Sequence, residues 1–187
     1  MPGSTVTPKV ADIGYAQLDL TRGARCGAGE VVYGEGKTAE QVAGIVDALI
    51  AAGQRHVLVT RLSAEKFERA RELMDSDTPL EYHADARIAI AGSMPVQSGN
   101  GTIVVACAGT SDLPVAEEAA LTAEFLGNRV ERVCDVGVAG LHRLLAHADQ
   151  LARAQVIVAV AGMGLAPLWV SDLVRGGVGT VITHLMN

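Results

Sequence analysis

The 187 residues suit one ordinary domain or a small domain joined to a medium one; with 49% hydrophobic residues a packed core is expected and disorder is not. Aromatic residues make up 3%, so the core is aliphatic, and a net charge of −6 with no basic stripe argues against nucleic-acid binding. Three cysteines without C-x-x-C spacing suit a reducing, cytoplasmic setting with free thiols, MPGSTVTPKVADIGYAQL lacks the apolar core of a secretion signal, and Val156–Ser171 is too short to cross a bilayer.

Residues 1–36 are polar and glycine-rich with little period, and 1–37 reads as an extended arm. Over 38–52, Val42, Ile45, Val46, Leu49 and Ile50 recur at helical spacing and Gly53 ends the run. A strand follows at 56–61 and a helix at 63–74, where Ser63 caps alone because Lys66 replaces the acid of a capping box. Short strands at 80–83 and 86–91 complete a small α/β domain, 38–92, and the turn residues of GSMPVQSGNG, 92–101, mark a boundary. From 101 to 187 the rhythm is regular. Strands at 102–107, 130–135, 155–160 and 178–183 alternate with helices at 112–126, 140–152 and about 165–175. Alternation of this kind, with Val/Ile-rich strands, predicts βαβ units in a three-layer parallel-sheet domain covered on both faces. The fold class expected is therefore α/β throughout.

The first strand-to-helix corner is AGTSDLPVAEEAALTAEFLG, 108–127. Val115, Ala119, Thr122, Ala123 and Leu126 share a helical face, which leaves Glu117 and Glu124 towards water. Asp112 or Ser111 caps the helix, with Pro114 tolerated in its first turn. Ligands of open parallel sheets bind outside the carboxyl ends of the strands. There Gly109 gives backbone access, and Thr110 and Ser111 add hydroxyls beside helix N–H groups that favour anions. Capping and binding are compatible readings of the same residues. The second corner, DVGVAGLHRLL at 135–145, puts Asp135, Gly137, Gly140, His142 and Arg143 at the same edge. His142 is either a titratable group facing the crevice or merely exposed. The third corner, AVAGMGLAPLW, fails the dinucleotide fingerprint because Pro167 holds its last place. YGEGKT is not a phosphate loop, since Val31 stands where the first glycine belongs, and His142 and His147 lack partners at metal spacing.

Together, LDLTRGARCGAGEVVYGEGKT (18–38), LVTR (58–61), AGTSDLPVAEEAALTAEFLG and CDVGVAGLHRLL resemble the nickel-pincer-cofactor carboxylase/hydrolase (LarB) family over most of residues 12–163. The carboxyl-terminal domain of that family is similar to the carboxyaminoimidazole ribonucleotide mutases of purine synthesis, so the resemblance implies a flavodoxin/PurE-like second domain. It implies carboxylation of the pyridinium ring of nicotinic acid adenine dinucleotide by CO2 or bicarbonate. The phosphoanhydride is hydrolysed to the mononucleotide and AMP, with Mg2+ whose ligands are unknown. A cysteine thiolate adds transiently to the electron-poor ring to make it nucleophilic at carbon. By the same resemblance Arg22, Arg25, Glu30, Lys37, Thr60 and Arg61 bind substrate, as do Gly109, Thr110, Ser111, Asp135 and Gly137. His142 and Asp112 are catalytic, and the chain forms a cytoplasmic homo-oligomer without nucleic-acid or membrane partners. The sequence departs from the family after AGM, where the family's glutamate is missing, and ends at Asn187 without the Ser-Cys segment of the nucleophile. A second domain incomplete at its carboxyl end is therefore expected, with Cys107 near the crevice as a possible replacement thiol. Two alternatives stay open: a mutase or carboxylase of purine synthesis, favoured by GTSD, and a non-catalytic nucleotide-binding relative.

Overall fold

A computed structural model describes residue 7 and residues 9–75, 77–137, 140–162 and 180–185, with Cys26 and the last stretch described by backbone alone. Two compact units divide the chain, Met1–Met94 and Pro95–Asn187. No helix among the described residues is long and apolar enough to cross a membrane. The helix expected at about 165–175 lies outside the described residues.

In the first unit a hairpin of β1 (Val10–Asp12) and β2 (Gln17–Asp19) precedes α1 (Arg22–Cys26). A four-stranded sheet follows, built from β3 (Val31–Tyr33), β4 (His56–Thr60), β5 (Leu80–His83) and β6 (Ile88–Gly92) in the order β3-β4-β6-β5. β3 runs parallel to β4 across the crossover helix α2 (Ala39–Ala51), and the β5–β6 hairpin adds antiparallel strands. The segment read as an arm is part of this unit. Leu18 and Val32 are buried, and Ile13 and Leu20 pack on the same core. The reading missed them because three-residue strands are too short to show a period.

The helix α2 starts where its sequence can satisfy its own first N–H groups. Thr38 is extended, its hydroxyl accepts the Gln41 N–H at 3.2 Å, and the Gln41 side chain accepts the Thr38 N–H at 3.1 Å. This is a complete capping box. Val42, Ile45, Val46 and Leu49 then line one buried stripe that packs on Val57 and Val59 of β4. The next helix, α3 (Ala64–Leu73), has the single cap expected, with the Ser63 hydroxyl accepting the Lys66 N–H at 3.3 Å.

The second unit is an all-parallel sheet of β7 (Thr102–Cys107), β8 (Arg129–Val133), β9 (Val156–Ala161) and β10 (Thr180–Leu185), in the order β10-β9-β7-β8. One face carries α4 (Leu113–Phe125), where Ala116 and Ala120 pack on Val105, Cys107 and Val160. The other carries α5 (Leu141–Ala146) and α6 (Ala148–Arg153), where Leu144 and Leu151 pack on Val104, Ala106 and Ile157. Those are the three layers expected from the strand–helix alternation. The single helix expected at 140–152 is two helices that break at His147.

The buried face of α4 also differs from the expected one. Ala116, Ala120 and Phe125 are buried, whereas Leu126 is 48% exposed. Glu117 and Glu124 do not point to open water. Arg132 of β8 donates from Nε to Glu117 at 2.9 Å and from a terminal nitrogen to Glu124 at 2.7 Å. The sequence face was misjudged because nothing local shows that an arginine eight residues beyond Glu124 would return beneath the helix.

Replacing Thr38 with Ala should lower unfolding stability by about 1 kcal/mol, the usual worth of an N-cap. Leu49→Ala should cost more, about 2–5 kcal/mol, because Leu49 is fully buried. Chemical denaturation of the two variants measures both.

Candidate functional site

In the second unit the chain goes from β7 outwards to β8, then returns across β7 to β9 on its other side. That reversal marks the carboxyl ends of β7 and β9 as the edge where open α/β sheets take their ligands. Asp112 stands there. It is 4% exposed, and both its oxygens are occupied. Oδ2 accepts the Gly109 N–H at 3.0 Å and Oδ1 accepts the Gly162 N–H at 2.9 Å. Asp112 makes no capping bond to α4; a single turn of 3-10 helix, Thr110–Asp112, leads into α4 instead. With both oxygens accepting backbone protons it is a positioning carboxylate that ties the turn after β7 to the turn after β9. Thr110 and Ser111 are exposed on that turn. Gly109 has extended backbone, φ −147, and an added Cβ would meet nothing nearer than 3.9 Å. Its backbone would suit any residue.

The turn after β8 lies at the same edge. Asp135 adopts φ 59, an uncommon conformation for a residue with a side chain, and Arg143 donates to its carboxylate. Gly137 is needed for contact: a Cβ there would lie 2.9 Å from the Ala108 carbonyl oxygen, and the Gly137 N–H donates to that oxygen at 3.0 Å. The turns after β7 and β8 are thereby held together. His142, second residue of α5, is exposed. Cys107 is 1% exposed beneath the edge. Burial pushes its thiol up from 9.0 to about 11, against the lowering effect of the Asp135 N–H, with Cys134 and Asp112 adding to the rise. A thiol held protonated in this way is a poor stand-in for a thiolate nucleophile.

The remaining predicted residues lie in the first unit. Arg22 and Arg25 are exposed on α1, and Arg25 pairs with Asp19. Asp19 in turn lines a cavity of about 190 Å³ with Gly23, Gly29, Leu49, Gly53 and Gln54. Glu30 follows Gly29. Its Oε2 is buried without a hydrogen-bond partner, while its carbonyl accepts from the Gln54 side chain at 3.2 Å. Lys37 is half-buried in the turn before α2. Thr60 is buried opposite Tyr33, and its carbonyl accepts the Gly34 N–H at 2.7 Å. Arg61 follows with φ 54, and Arg87, at the start of β6, has φ 53. Between them the Leu62 N–H donates to the Arg87 carbonyl at 2.8 Å. Two left-handed arginines side by side mark strain of the kind that collects at functional positions. The Tyr33 hydroxyl, with Arg61, Arg87 and Lys66 around it, holds the Glu35 carboxyl below its usual 4.5. Sequence reasoning missed Tyr33, Glu35, Lys66 and Arg87, because only the β3–β4 and β4–β6 pairings and the packing of α3 bring them to Arg61.

Residues 10–93 match the LarB/PurE-like N-terminal domain. Over this stretch, a little under half of its length, the chain is similar to the LarB/PurE-like family. The chain is also 32% identical over 167 residues to an uncharacterized protein of Methanocaldococcus jannaschii, across 84% of the chain and 64% of that relative. It thus spans a little under two thirds of the relative's length. The matched stretch holds Arg22, Arg25, Glu30, Lys37, Thr60 and Arg61, six of the eleven predicted binding residues.

The Mg2+ that the resemblance implies finds no protein-built seat among the described residues. No three His, Cys, Asp or Glu side chains group there. Asp112 is spent on backbone N–H groups, Asp135 on Arg143, and Glu30 offers one unpartnered oxygen.

Asp112→Ala should destabilise the second unit by about 1–3 kcal/mol, since it leaves two N–H groups without acceptors. Amide exchange at Gly109 and Gly162 should accelerate in the same variant. The Cys107 thiol sets a pH dependence. The unfolded thiol ionises near 9.0 and the folded one near 11, so the native state holds its proton longer. Stability should be level below about pH 9 and decline towards about pH 11, and Cys107→Ala should flatten that decline. Denaturation midpoints across this range read the difference.

Proposed function

We propose that this chain acts on nicotinic acid adenine dinucleotide, carboxylating its pyridinium ring and hydrolysing its phosphoanhydride to the mononucleotide and AMP. The observation that carries this reading is the LarB/PurE-like domain at 10–93, joined in one chain to a parallel sheet of the PurE-like kind. The substrate's groups suit the residues available. Its phosphates and pyridine carboxylate are anions, which hydroxyls and N–H groups at a strand-to-helix turn bind well. Thr110 and Ser111 supply the hydroxyls, on a turn fixed by Asp112. Within the first unit itself, Arg22 and Lys37 are cations of the kind that pair with such anions, with arginine the better partner for a planar carboxylate or a phosphate. His142 is the group at this edge able to carry the proton that leaves the ring. Asp112 orients the turn.

A second reading has the same site binding the nucleotide without turnover. The burial of Cys107 and the occupied oxygens of Asp112 favour it, since neither group is then available for chemistry.

Incubation of the purified chain with nicotinic acid adenine dinucleotide and bicarbonate, with and without Mg2+, followed by mass spectrometry, decides between them. The first reading expects a carboxylated mononucleotide and AMP. Saturable binding with no product supports the second, and neither binding nor product overturns both. Ser111→Ala should weaken binding of the dinucleotide about tenfold if it donates to an anionic oxygen, the worth of one hydrogen bond to a charged group. Equilibrium titration of the variant measures it.

A further inference from the structure

Cys107 ends β7, and Cys134 is the first residue after β8. In their parallel register Ala106 lies opposite Val133, so the next pair in line is Cys107 and Cys134. The strands stay together beyond that point, with the Val136 N–H donating to the Cys107 carbonyl at 3.2 Å. Neighbouring strands lie about 4.8 Å apart, within the Cα separation of about 4.4–6.8 Å that a disulfide spans.

The two side chains also share a face. Cys107 packs on Ala116 and Ala120 of α4. Arg132, two residues before Cys134, reaches Glu117 and Glu124 of the same helix. Strand side chains alternate, so Cys134 falls on that side too. Cys134 is near enough to add to the rise in the Cys107 pKa, and both thiols are free. They differ in access, since Cys134 is exposed and Cys107 is buried.

We propose that Cys107 and Cys134 form a reversible intramolecular disulfide, a redox site that staples β7 to β8 at the carboxyl edge of the sheet. The oxidant is a peroxide. The exposed Cys134 thiolate attacks a peroxide oxygen, the O–O bond breaks, and the sulfur is oxidised by two electrons to a sulfenic acid. The departing oxygen takes up a proton and leaves as water. Cys107 loses its proton and attacks the Cys134 sulfur; the S–O bond breaks, and hydroxide leaves and is protonated to a second water. Two thiols and one hydrogen peroxide thus give one disulfide and two waters. A dithiol reductant restores the pair. In a reducing compartment the dithiol is the resting form, and such a bond is transient. The bond would also remove the Cys107 thiol from the Asp135 N–H and restrain the turn that Gly137 fastens to Ala108.

The test oxidises the 187-residue chain with hydrogen peroxide, blocks the remaining thiols by alkylation, and maps the peptides without reduction. A peptide linked through Cys107 and Cys134, lost on treatment with dithiothreitol, is the expected result. Cys134→Ser should abolish the linked peptide. Cys107→Ala, a small apolar replacement at a buried position, should leave Cys134 to proceed to sulfinic acid while circular dichroism stays unchanged. Sulfinic or sulfonic acid on Cys134 of the unaltered chain with no linked peptide would overturn the proposal. So would linkage of Cys134 only to Cys26 or to a second copy of the chain.

Discussion

Between the ends of β7 and β9 the Asp112 carboxylate accepts one N–H from each flanking turn, at 3.0 Å from Gly109 and 2.9 Å from Gly162. Asp112 and Gly162 are fifty apart in sequence and meet because the chain reverses its direction of travel across the sheet at this point. A buried carboxylate is costly unless its oxygens are satisfied, and bonds from N–H to a charged acceptor are stronger than neutral ones. The same interaction therefore offsets the cost of burial and ties the turn after β7 to the turn after β9. Thr110 and Ser111 are presented to solvent because Asp112, next in the chain, is turned inward.

The helix beyond this turn is held from below. Arg132 on β8 gathers Glu117 and Glu124, and their carboxylates, Glu124 first, raise the pKa of its guanidinium so that it stays charged. Bidentate pairing of this kind fixes orientation as well as adding energy. It explains why α4 buries Ala116 and Ala120 and leaves Leu126 outside. Small residues let α4 lie close over Val105 and Cys107, and that closeness buries the Cys107 thiol.

Burial decides the chemistry open to the cysteines at this edge. Cys107 faces into the packing and keeps its proton, while Cys134, one strand over, meets solvent. The pair is thus asymmetric, with one accessible thiol and one protected partner, a better arrangement for reversible oxidation than for catalysis by Cys107. In the LarB/PurE-like domain the corresponding constraint is conformational. Arg61 and Arg87 sit in the left-handed region where β4 ends and β6 begins, and Lys66 donates to the Glu35 carbonyl at 2.7 Å. Charge is concentrated there by strand pairing, with no run of basic residues in the sequence.

The α/β class, the alternation of the second unit and the helix over 38–52 were legible in the sequence, because each rests on a local period or a turn residue. The same is true of the Ser63 cap. The motifs also pointed to the LarB/PurE-like domain that residues 10–93 match. Thr38 and Gln41 spelled a capping box that could have been read and was not. Tertiary structure decided the rest, for a physical reason common to every case. Whether Asp112 caps a helix or clamps two turns depends on Gly162, and whether Glu117 meets water depends on Arg132. Cys107 and Cys134 become neighbours only through the register of parallel strands, and Arg87 reaches Arg61 only through the β4–β6 ladder. A sequence displays what a residue does to its own backbone within a turn or two; the partner that settles its role arrives from far along the chain, and only the packed sheet brings it there.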